Sequence, residues 1–147
     1  MRKFLALILV LFTFLPTMAF ADAVMPRYNP DSNKYAPESL PYDGSFSIQS
    51  NTATKAIAGP SDGNITVALT NAYWVYSGVK SINLNITAFY LTSGGEWVEA
   101  SSRSVSISTT PGDYSVTLTV PANRTIYVKF TKGYTNYYAH ASFTITD

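Results

Sequence analysis

Ile82-Asn83-Leu84-Asn85-Ile86-Thr87-Ala88-Phe89-Tyr90 is the stretch that decides the fold class. A β-strand turns successive side chains to opposite faces, so Ile82, Leu84, Ile86, Ala88 and Tyr90 share one face and Asn83, Asn85, Thr87 and Phe89 the other. The same period of two recurs along the chain. Ile65, Val67 and Leu69 alternate with threonines and alanine, Val105 and Ile107 with serines, and Tyr114, Val116, Leu118 and Val120 with Ser115, Thr117 and Thr119. Ile126, Val128 and Phe130, then Ala139, Ala141, Phe143 and Ile145, complete the inward set. No stretch after Gly44 carries a helical period, and the outward positions are mostly Thr, Ser and Asn, which wet sheet faces tolerate.

Turn residues stand where the alternation stops: Ser61-Asp62-Gly63-Asn64, Thr92-Ser93-Gly94-Gly95, Thr110-Pro111-Gly112-Asp113, Pro121-Ala122-Asn123 and Lys132-Gly133. Glycine supplies positive φ there and proline fixes the entry angle. The pattern predicts an all-β chain: a single antiparallel β-sandwich of about seven to eight strands over residues 45–147, with a small barrel as the other architecture.

Upstream the composition changes twice. Residues 22–44 hold Pro26, Pro30, Pro37 and Pro41 among polar residues, with Tyr28, Tyr35 and Tyr42 seven residues apart; without a face to bury, this reads as a Pro-rich extended arm. Residues 1–21 give Met1-Arg2-Lys3, an apolar run from Phe4 to Leu15, Pro16 and then Ala19-Phe20-Ala21. That is the order of a signal peptide, cleaved after Ala21. The run is too short for a membrane span, which needs about 20 apolar residues.

Cleavage would remove Arg2 and Lys3 and leave eight basic against nine acidic side chains. Nucleic acid and anionic membranes are recognised by clustered Lys and Arg, so neither is expected as a partner, and no stable membrane anchor is expected. The chain has no cysteine, so its stability must come from packing and strand pairing. The A-x-A site and the absence of disulfides lean toward a bacterial, secreted, extracellular protein.

Catalytic constellations are scarce. His140, the single histidine, shares its parity with Tyr138 and Ser142 and so faces away from Ala139, Ala141 and Phe143. Glu96 and Glu99 flank Trp97, but positions three apart on a strand point to opposite sides, whereas a glycosidase pair must face one sugar. Asp62 with Asn64, and Asp31 with Asn33, offer too few oxygens for calcium. No catalytic residue, metal or cofactor is therefore expected, and the chain is read as not an enzyme.

Aromatic residues gather at two places outside the alternating core: Tyr73-Trp74-Val75-Tyr76, and Tyr134, Tyr137 and Tyr138. If residues 96–109 form one strand, with Trp97, Glu99, Ser101, Arg103, Val105 and Ile107 on one parity, strand directions alternate and both groups fall at the same end. A split at Ser101-Ser102 would send them to opposite ends. Together, Tyr73, Trp74, Tyr76, Tyr134, Tyr137 and Tyr138 would form a ligand-binding platform beside Lys80, Lys132, Asn71 and Asn136; tyrosines at strand ends also simply cap cores. The function this suggests is a secreted binding module for cell-surface polysaccharide or extracellular protein. Its alternatives are a structural or envelope protein that self-associates through strand edges, and a small secreted toxin or inhibitor.

Overall fold

A computed structural model describes residues 36–76 and 78–147 of the 147-residue chain. The signal peptide expected at 1–21 and residues 22–35 of the arm lie outside the described residues. Nine strands follow in order: β1 (Tyr42–Ile48), β2 (Asn51–Ala53), β3 (Ile57–Ala58), β4 (Asn64–Trp74), β5 (Ser81–Leu91), β6 (Trp97–Ser108), β7 (Gly112–Thr119), β8 (Thr125–Thr131) and β9 (Ala139–Thr146). They build two antiparallel sheets, β1-β9-β4-β7 and β2-β8-β5-β6, with β3 also on the β8 edge. The architecture is the β-sandwich that the alternation predicts.

The first strand begins at Tyr42, inside the segment read as arm, and Glu38 already bridges to Ile57 in parallel. The strand count exceeds seven to eight because one edge is broken into β2 and β3. Thr54 holds the break: its N–H donates to the Val128 carbonyl (2.9 Å) and its Oγ1 accepts from the Val128 N–H (3.0 Å). A buried hydroxyl thus stands in for a missing ladder bond.

The two sheets enclose the inward set. Ile65, Val67, Leu69, Leu84, Ile86, Ile107, Leu118, Ile126, Val128, Phe130, Ala139 and Ile145 are all buried there, joined by Phe46 and Ile48. Phe130 is ringed by Phe46 at 4.9 Å and Phe143 at 4.8 Å. Gly44 lies across from Phe143, whose ring fills the space a Cβ there would need. The ring covers the bare glycine, a cross-strand arrangement that pins register.

Two β-bulges shape the molecule. In β4 the register shifts against both neighbours around Asn71, which adopts φ 52° and donates its N–H to Asp113 Oδ1 at 2.9 Å. The inward parity therefore passes from Ile65, Val67 and Leu69 to Ala72 and Trp74. In β6 the shift falls between Ala88↔Ser101 and Phe89↔Glu99, leaving Ala100 as the extra residue. β6 is one continuous strand, but its parity is not single. Ser101, Arg103, Val105 and Ile107 oppose the inward residues of β5, whereas Trp97 and Glu99 oppose the outward Leu91 and Phe89.

Candidate functional site

Because β6 runs unbroken, chain direction alternates and the β1–β2, β4–β5, β6–β7 and β8–β9 connections share one end. The two aromatic groups meet there. Their six residues occupy three different environments.

Tyr76 and Tyr137 stack, with ring centroids 4.2 Å apart and planes 29° from parallel. Beneath them Trp74 contacts Tyr76 at 5.5 Å and meets Tyr137 edge-on at 6.4 Å. Trp74 itself is only 3% exposed and belongs to the core, so its expected place in an exposed platform is corrected: the bulge at Asn71 turns it inward. Its indole N–H is buried without an acceptor. Tyr73 and Tyr138 lie instead on the outer face of the four-stranded sheet. There His140 stacks on Tyr73 at 5.0 Å and faces Tyr138 at 6.1 Å. The histidine points outward, as its parity implies, into the company of two tyrosines.

Tyr134 stands apart and is 75% exposed. Five large apolar or aromatic side chains are exposed among the described residues: Val75, Val79, Val98, Tyr134 and Tyr137. All but Val98 belong to the β4–β5 and β8–β9 loops, so the exposed apolar surface is gathered at one end. Such clustering, unlike single exposed residues, marks interaction surfaces.

The β8–β9 loop is held in place by Lys132. Sequence reading set this lysine beside the platform as a charge; the structure buries it, because β8's inward parity continues through it. Its Nζ donates to the Gln49 carbonyl (2.5 Å), to Thr135 Oγ1 (2.8 Å) and to the Gly133 carbonyl (3.3 Å). Burial pulls its pKa below the ordinary lysine value. Gln49 Nε2 adds a bond to the Asn136 carbonyl (3.2 Å), and the Val75 N–H donates to the Tyr138 carbonyl (2.9 Å). The tyrosines therefore ride on a loop tied to both sheets, and a braced loop loses less entropy when it binds. Lys80 remains exposed at this end, and Asn71 is exposed at its bulge.

Elsewhere the ionisable groups are dispersed. Glu96 lies in the β5–β6 turn and Glu99 on β6, both exposed. Asp62 Oδ1 is engaged by the Asn64 N–H at 3.0 Å, as in an Asx turn. No three His, Asp or Glu side chains gather among the described residues. Sequence reading passed over a further ring group, Phe89, Trp97 and Tyr127, on the outer face of the five-stranded sheet. The outward parity of Phe89 was its one visible sign.

No protein-family model matches the sequence, and no curated protein matches it. Among solved structures, the chain is similar to the Clostridium thermocellum N-terminal endo-1,4-beta-D-xylanase 10B CBM22-1-GH10 modules complexed with xylohexaose. The identity is 14% and the TM-score 0.43, over 60% of this chain and 17% of that one. It is also similar to TmCBM61 in complex with beta-1,4-galactotriose, at 16% identity and TM-score 0.37 over 81% of this chain and 77% of that one. Likeness this distant leaves both architecture and site resting on the chain's own residues.

Proposed function

We propose that this chain is a secreted, non-catalytic binding module that holds a neutral extracellular or cell-surface polysaccharide at its tyrosine end. One observation carries the reading: four of the five exposed large apolar or aromatic side chains lie in two adjoining loops. A tyrosine ring offers an apolar face to the C–H side of a sugar and a hydroxyl to its oxygens. The braced β8–β9 loop supports preorganised binding, and the dispersal of the carboxylates supports a role without catalysis. The signal-peptide order of residues 1–21 supports export.

Co-sedimentation of the purified protein with insoluble cell-wall and matrix polysaccharides tests the reading. Retention is expected to be saturable. Tyr134→Ala, and more strongly Tyr134→Ala with Tyr137→Ala, should weaken it at least tenfold, the loss expected when an aromatic anchor is truncated. The single variant should melt like the parent, since Tyr134 is mostly in solvent. Unchanged retention in both variants contradicts the proposal, and concentration-dependent self-assembly without retention would favour pairing through strand edges instead.

A further inference from the structure

The outer face of the five-stranded sheet carries rings that the tyrosine end does not explain. Phe89 faces Tyr127 in register and stacks on it at 4.8 Å, with planes 8° apart. Trp97 meets the same tyrosine edge-on at 4.7 Å and 76°. All three lie outside the core between the sheets. Trp97 reaches this face only through the extra residue at Ala100; bulges recur where a strand re-aims a side chain toward a site. The tryptophan ring is partly exposed, yet its Nε1–H is shut from solvent with no acceptor. The N–H is therefore turned away from any ligand, and what Trp97 offers on this face is its ring.

Beyond the rings the same face turns polar. Asn85 opposes Ser104 and Asn83 opposes Ser106 across β5 and β6, all four exposed. From Phe89 to Asn83 this row runs about 20 Å at ~3.4 Å per residue. The charges beside the rings, Glu99 and Lys129, are opposite in sign and select neither anion nor cation. The accessible apolar area is confined to two half-buried rings, Phe89 and Trp97, with Tyr127 buried beneath them, whereas a protein partner of ordinary size covers about 800 Å².

The geometry points to a second saccharide site here: a neutral glycan laid along β5, one sugar over the Trp97 and Phe89 rings, and later sugars meeting Asn85 and Asn83. This site lies on a different surface from the tyrosine end and stands if that reading fails.

Calorimetric titration of the full protein with neutral β-1,4-linked hexasaccharides of xylose, glucose and mannose tests it. At least one should bind saturably. Trp97→Ala, which removes the ring, should weaken that binding at least tenfold, the loss expected when an aromatic anchor is truncated, whereas Trp97→Phe, which keeps a ring, should retain most of it. Asn85→Ala, an exposed change, should weaken it several-fold, and binding should persist in the Tyr134→Ala, Tyr137→Ala background, in which the tyrosine end is removed and this face alone is read. The site is overturned if none of the three binds, or if Trp97→Ala and Asn85→Ala both bind like the parent. Loss of all binding in the Tyr134→Ala, Tyr137→Ala background would also overturn it, by placing the binding at the loops.

Discussion

Trp74→Ala is expected to lower stability by about 3–5 kcal/mol, the range for truncating a large buried aromatic. The indole closes the tyrosine end of the core, with Tyr76 and Tyr137 packed over it. Its removal opens a cavity under Tyr76 and Tyr137 of the loops that carry the proposed site, so the variant should also lose binding, indirectly. A denaturant or thermal melt reads the effect. Trp74→Phe separates the contributions: it keeps most of the volume and deletes the N–H that lacks an acceptor, so its cost should stay below about 1.5 kcal/mol. Equal losses in the two variants would mean that ring volume is not what Trp74 supplies.

Deleting Asn71 should cost at least as much as Trp74→Ala. Without the extra residue, every side chain beyond it in β4 changes face. Ala72 and Trp74 would turn to solvent, and Tyr73, now stacked on His140 outside, would be driven between the sheets. The chain must then expose the indole or give up the pairing of β4 with β7 and β9 beyond Thr70. By contrast, Asn71→Gly should change stability by less than about 1 kcal/mol, since glycine readily takes the positive φ of this position. A melt of both variants decides the matter. A deletion variant as stable as the parent would show that the bulge is dispensable.

The two bulges also mark where sequence reading stops. Alternation at Ile65–Leu69, Ile82–Tyr90 and Ile126–Phe130 is a statement about burial: Ile65, Val67, Leu69, Leu84, Ile86, Ala88, Ile126, Val128 and Phe130 are buried in the core, with Ile82 and Tyr90 packed half-buried against it, while Tyr127, on the opposite parity, is buried outside it. The shared end of the aromatic loops followed from one further condition, a continuous β6, which holds. A bulge, however, adds one residue without altering the composition of either face, and nothing in Asn71 or Ala100 announces it. Trp74 was therefore read as exposed and Trp97 as sharing the parity of Ile107, and both errors have the same physical origin. The break between β2 and β3 was equally silent, because Thr54 replaces a ladder bond with a hydroxyl that looks like any other threonine in the sequence. Lys132 was read by its charge, while its three carbonyl and hydroxyl acceptors come from segments far apart in the chain or across a turn.

The central claim, that the tyrosine end takes hold of a polysaccharide, is tested most directly by backbone and tyrosine-ring chemical-shift mapping while a soluble oligomer of the retained polysaccharide is added. The account predicts saturable shifts at Tyr134 and Tyr137, extending to Val75 and Val79, that vanish in Tyr134→Ala with Tyr137→Ala. Shifts confined to the Trp97 face or to the strand edges, with the tyrosine loops unmoved, would contradict it.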